Sequence, residues 1–172
     1  IRGRHTIDRF SSDNNKHCAK FNSRWWVPGT DGADAFCQNW TTELNWLVPP
    51  PRLIVQCIRN MEDDKAQGTL AVPFWTSAVF WPCIISDENR LKRFIVDCKT
   101  LPKQGTVGTG RGNNGVFSKN PLPFNMLALK LNCVTWNVYH YSFFSINRFW
   151  LSRCATGQID ERWMHWDSTN RT

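Results

Sequence analysis

The sequence predicts an α/β domain: a mostly parallel sheet flanked by helices, followed by a Gly-rich basic loop and an irregular C-terminal extension. Three observations predict it. Between residues 44 and 85 an apolar strand pattern, an amphipathic helix pattern and a second apolar strand follow one another, the order of a βαβ unit with a parallel pair. The chain of 172 residues is 41% hydrophobic with ten Trp and eleven Phe, enough for a substantial core in one domain. The block Pro49-Pro50-Pro51 stops the first of these strands at its carboxyl end, where open α/β sheets bind ligands.

Taken in order, residues 6–10 alternate polar and apolar side chains and run into Ser11-Ser12-Asp13-Asn14-Asn15, a short strand ending in a polar turn. Residues 21–26 are apolar and aromatic, and 27–32 (Val-Pro-Gly-Thr-Asp-Gly) form a loop. One helical turn is expected at 37–40 and a strand at 44–48. Pro49 and Pro50 lack the backbone donor that a central ladder needs, and Pro51 suits the first turn of a helix. Leu53, Ile54, Cys57, Ile58 and Met61 have the spacing of that helix, which ends in Glu62-Asp63-Asp64-Lys65. Gly68 marks its exit, and residues 69–73 form a strand closed by a proline. Residues 75–85 read either as a helix interrupted at Pro82 or as a loop that lays aromatics over the sheet. The domain boundaries follow: a core over 1–102, a Gly-rich basic loop or linker over 103–120, a further strand within 121–133, and a Trp-rich tail over 134–172 with no clear period.

Seven cysteines are dispersed at least fifteen residues apart, with no CxxC or CxxxxH pair to support a zinc site. They read as small apolar residues of a reduced, intracellular chain, the nucleus included. The formal charge of +7 and pI of 9.3 favour an anionic partner such as nucleic acid. Lys16, Lys20 and Arg24 recur at helical spacing and suggest one basic face, and Lys103 and Arg111 lie in the Gly-rich loop. The best candidate membrane span, residues 134–151, carries Asn137, His140, Asn147 and Arg148, so no span is expected. The first residue is Ile and no charged-then-apolar leader follows, which reads as a piece of something longer or a processed chain.

Within the loop, Gly110-Arg111-Gly112-Asn113-Asn114-Gly115 satisfies the dinucleotide fingerprint in its letters alone. Neither a strand before it nor a helix after it is visible, and Pro121 and Pro123 follow, so a flexible segment that touches RNA or DNA is the better reading. The acids Asp8, Asp13, Asp31 and Asp34 lack the Glu and His partners of a two-metal site, and no cysteine or serine has a local nucleophile motif.

Four segments in order carry a resemblance: Ile7-Asp8-Arg9-Phe10-Ser11-Ser12; Asp34-Ala35-Phe36 with Trp40; residues 45–51; and Gly68-Thr69-Leu70-Ala71-Val72-Pro73 with Trp75 and Phe80-Trp81. Together they resemble the segment downstream of the RNase H region in DIRS-type tyrosine-recombinase retrotransposon polyproteins, which looks like the phage-type DNA adenine methyltransferases. The resemblance covers residues 6–85 and implies a Rossmann-like fold. It also implies that Asp8, with Ser11 in the turn beside it, would lie against S-adenosylmethionine, and Asp34 near the cofactor adenine. Capping is the competing role for both acids: Asp8 for its following turn, Asp34 for a helix at Ala35.

At the proline block the family carries Asn or Asp, then Pro-Pro, then an aromatic. The polar oxygen accepts a hydrogen bond from the exocyclic amine of a flipped adenine, and the ring stacks on the base. Here Val48 stands at the acceptor and Pro51 at the aromatic, so only Pro49 and Pro50 of the catalytic turn are retained. Losing such a group typically costs about 10²–10³ in rate. Asn45 lies three residues upstream and would point to the opposite face of a strand from Val48.

The expected function is therefore a noncatalytic, retroelement-derived, methyltransferase-like domain that binds nucleic acid, with either no cofactor or S-adenosylmethionine. Two alternatives stay open. One is an active S-adenosylmethionine-dependent DNA adenine methyltransferase that uses a backbone carbonyl of the Val48-Pro49-Pro50 turn. The other is a secreted Cys- and Trp-rich binding module, to which the triplets at Asn39 and Asn170 would lend glycosylation sites.

Overall fold

In the computed structural model, which describes residues 5–106, 117, 119 and 121–134, the chain builds a six-stranded mixed sheet. Its strands are β1 (Ile7–Asp8), β2 (Lys20–Phe21), β3 (Leu44–Leu47), β4 (Gln67–Pro73), β5 (Ile95–Leu101) and β6 (Met126–Asn132), in the order β2-β1-β3-β4-β6-β5. The first four are mutually parallel, and β6 is antiparallel to both β4 and β5. One α-helix is present among the described residues, α1 (Ile54–Asp63).

The β3-α1-β4 unit is as the residue pattern predicts, with β3 and β4 adjacent and parallel. Ile54, Cys57, Ile58 and Met61 recur every third or fourth position, so all four fall on one side of α1 and are buried. They join Leu47, Leu70, Val72, Leu129, Leu131 and Cys98 in the main core. Strand alternation sends Ala71 and Met126 to the other face, where they pack with Leu122 against Leu101, Phe117 and Phe124. Cys57 and Cys98 are core residues, as their use as small apolar side chains predicts, and Cys18, Cys37, Cys83 and Cys133 are also free thiols.

Three expectations need correction. The sheet is mixed rather than mostly parallel: Leu127, Leu129 and Leu131 do form the further strand, but it returns antiparallel along β4 and carries β5 beyond it. Flanking helices reduce to α1 among the described residues, since 75–85 is the aromatic-laying loop with only a 3₁₀ turn at Trp81–Cys83. Pro82 enters that turn near its start, and Trp75 lies 5.1 Å from Phe124 between ring centroids. Finally, Lys16, Lys20 and Arg24 share no helix: Lys16 and Arg24 lie outside regular elements and Lys20 is in β2. The turn foreseen at 37–40 forms slightly earlier, as a 3₁₀ turn at Ala35–Cys37. Most of the Gly-rich loop, Arg111 included, and the tail from 135 onward lie outside the described residues. Among the described residues no helix is long and apolar enough to cross a membrane.

Candidate functional site

The strand order turns back between β1 and β3, with β2 on one side and β4 on the other. In an open parallel sheet such a switch point leaves a crevice at the carboxyl ends of the strands, because successive connections diverge there. The segments leaving that edge are 9–19 after β1, 22–43 after β2, the proline block after β3 and the aromatic loop after β4. Asp8, Asp34, Pro49 and Pro50 all belong to them or to the strand ends.

After Leu47 the chain exposes Val48, whose relative accessibility is 41%, and buries Pro49. Pro50 caps a 3₁₀ turn, Pro51–Leu53, that runs directly into α1, and its carbonyl accepts from the Leu53 N–H at 2.8 Å. Proline fixes φ near the helical value at no hydrogen-bond cost in a first turn, so the block is a rigid exit from β3. By strand alternation Val48 continues the face of Trp46, to which Asp8 is paired. The exposed side chains of the block, those of Val48 and Pro50, are hydrocarbon.

Asp8 is 2% exposed. Its Oδ1 accepts from the Phe10 N–H at 3.2 Å and its Oδ2 from the His17 N–H at 3.1 Å. Burial pushes its pKa up, and the two backbone donors oppose that. Both oxygens thus hold the 9–17 turn closed, which is the capping role. Ser11 Oγ is buried near this carboxylate and also works against the rise in its pKa.

Asp34 also caps: it sits at φ 52° before the 3₁₀ turn and accepts from the Phe36 N–H at 3.1 Å. It is exposed, with the Cys37 thiol 3.7 Å from its Oδ2. Phe36 meets Phe10 at 5.6 Å and stacks on Trp40 at 5.8 Å, so the Asp34 loop is packed against the loop that follows Asp8.

The residue that sequence reasoning missed is Arg9. It is 3% exposed and uses its whole fork: Nε donates to Asn45 Oδ1 at 2.7 Å, one terminal nitrogen to Asn22 Oδ1 at 2.8 Å, the other to the Asn39 carbonyl at 2.9 Å. Its guanidinium lies 5.5 Å from the Trp40 ring centroid. Burial lowers its pKa to about 10, so it remains a cation at neutral pH. Asn45 is equally committed, its amide donating to the carbonyls of Trp40, Glu43 and Gln67. Asn45 lies on the α1 side with Leu47, fully buried and with its Oδ1 held by Arg9, out of reach of a substrate amine. Four residues, from the two segments that leave β1 and β2 and from β3, are thereby tied together. Strand alternation offered the one sequence signal, since it places Arg9 inward beside Asn45 when Asp8 faces the other way.

Of the basic residues, Lys20 is engaged by Glu43 at 2.7 Å. Lys16 and Arg24 are exposed and in no ion pair among the described residues; the Lys16 ammonium lies 4.8 Å from the Phe21 ring and the Arg24 guanidinium 5.1 Å from the Trp25 ring. Lys103 is exposed at the far side of β5, its carbonyl accepting from Leu122. β6 is antiparallel to both β4 and β5, so β5 runs in the direction of β4 and Lys103 leaves the sheet at the same carboxyl edge, beyond β4 and β6 from the Asp8 and proline-block segments. Among the described residues no cluster of three or more His, Cys, Asp or Glu is placed to hold a metal ion. No protein-family model matches the chain, and no curated protein matches it.

Proposed function

We propose that the chain is a noncatalytic, methyltransferase-like domain of retroelement type that binds nucleic acid at the carboxyl edge of its parallel strands. The observation that carries the first half is Val48. An adenine amine brought to this edge meets, in the matching family turn, a side-chain acceptor, and a half-exposed valine offers none. Neither replacement comes from nearby: Asn45 is consumed by Arg9 and three carbonyls. The Rossmann-like reading rests on the parallel half, β2-β1-β3-β4, with its switch point at β1/β3.

S-adenosylmethionine does not fit the residues expected to hold it. A ribose hydroxyl needs a carboxylate oxygen facing the crevice, and both oxygens of Asp8 are spent on backbone donors in a buried turn. Calorimetric titration of the purified chain with S-adenosylmethionine tests this: no binding heat is expected, and saturable one-to-one binding would favour the adenine methyltransferase alternative.

The second half rests on a formal charge of +7 and on the exposed cations Lys16 and Arg24, in no ion pair among the described residues, in loops at or beside that edge. Fluorescence anisotropy with labelled DNA and RNA oligonucleotides should show binding whose affinity falls linearly with salt on logarithmic axes. No binding at low salt would end the nucleic-acid reading.

A further inference from the structure

The loop leaving β2 holds two adjacent tryptophans in solvent, Trp25 at 71% and Trp26 at 74% exposed. Every other Phe and Trp among the described residues is buried or half-buried, and a pair left open on consecutive residues asks for an occupant. The loop beneath them is firmly held. Ser23 forms a bridge with Ala33, its N–H donates to the Gly32 carbonyl at 3.3 Å, and its hydroxyl donates to the Trp25 carbonyl at 2.5 Å. Thr30 Oγ1 donates to the Gly32 carbonyl at 2.9 Å, Asp31 Oδ2 accepts from the Phe21 N–H at 2.9 Å, and Gly29 takes the turn at φ 82°. The two rings are therefore presented on a built support.

We infer that Trp25 and Trp26, with Arg24 beside them, form a stacking platform for unpaired bases of a single-stranded nucleic acid. The inference rests on the nucleic-acid reading above and names its ligand more narrowly. Indole faces stack on any base, and stacking is available only where bases are unpaired. Arg24 covers one side of Trp25 at 5.1 Å and supplies a cation to the adjoining phosphate, while Lys16 adds a second charge over Phe21, the last residue of β2. Asp31, the nearest acid of the loop in sequence, is turned to the Phe21 N–H. Because β2 is parallel to β1, the platform stands on the same sheet edge as the β1/β3 crevice.

The test is anisotropy titration of the full chain with a fluorescein-labelled 15-nucleotide single strand and the matching duplex, for wild type, W25A/W26A and W25F/W26F. Single-strand binding should exceed duplex binding, and W25A/W26A should weaken it by about tenfold or more while W25F/W26F retains most of it. Both side chains are exposed, so the thermal transition should not move, and circular dichroism melting checks this. W25A/W26A binding the single strand as well as wild type would overturn the platform and leave the nucleic-acid reading standing. Absence of any nucleic-acid binding by wild type would remove both. Wild type that self-associates in sedimentation, with W25A/W26A monomeric and single-strand binding unchanged, would assign the pair to a protein contact and overturn the platform.

Discussion

Arg9 shows how much of this site is held by one side chain. It is a buried cation without an ion pair among the described residues, and its charge is met by two side-chain amides and a carbonyl. Arg9→Ala would leave Asn45 Oδ1 and Asn22 Oδ1 unpaired in the interior and remove the donor of the Asn39 carbonyl, and unmet buried acceptors are costly. A loss of about 3 kcal/mol in denaturant-derived stability is expected; a change under about 1 kcal/mol would show that the fork is not structural. Arg9→Lys should recover little, because an ammonium cannot match three acceptors in a plane. His5 makes a second prediction at this scale. Burial lowers its pKa from 6.5 to about 4, with its Nε2 2.8 Å from Thr69 Oγ1. The folded state keeps it neutral while the unfolded chain binds a proton below 6.5, so its contribution is intact above 6.5 and is lost as pH falls toward 4. Asp8, with a raised pKa, works in the opposite sense. Stability measured from pH 7 to 4 should therefore fall less steeply in His5→Gln than in wild type; parallel curves would contradict the assignment.

At the scale of elements, the β3/β4 ladder is where backbone and site meet. Gly68 is paired with Asn45, and a Cβ there would stand 2.4 Å from the Asn45 carbonyl oxygen and 2.9 Å from Asn45 Cβ. Backbone cannot yield as a flexible side chain would, so Gly68→Ala should destabilise by about 1–3 kcal/mol and disturb the Arg9–Asn45 bond. A melting temperature within a degree of wild type would contradict that. The elements around this ladder were legible because their patterns are local: the 53–61 periodicity, the proline stop and the run 69–73 each declare one element. β5 was not legible. Its Ile95 and Cys98 are buried but a register shift between Ile95 and Asp97 breaks the alternation that a strand reading needs. The direction of β6 was equally hidden, since alternation at 127, 129 and 131 gives a strand without saying which neighbour it meets. Helical spacing at 16, 20 and 24 misled for the converse reason: three positions fit a period that the intervening Asn22 and Ser23, both buried and tied into the loop, do not share.

For the whole molecule, the sheet joins a parallel set, β2-β1-β3-β4, whose switch point carries the candidate site, to the antiparallel strands β6 and β5, and the main core draws on both, with Leu47, Leu70 and Val72 from the one and Cys98, Leu129 and Leu131 from the other. The candidate site was partly legible, because Asp8, Asp34 and the proline block do reach one edge of that parallel half. What could not be read was which way the carboxylates face; only the fold shows that both acids cap their own turns. On the proposed reading, this edge binds nucleic acid without transferring a methyl group. The most direct measurement is incorporation of labelled methyl from S-adenosylmethionine into DNA by the purified chain, with Asp8→Ala alongside. No N6-methyladenine above the protein-free blank is expected for either; robust adenine methylation by wild type that disappears in Asp8→Ala would contradict a noncatalytic edge.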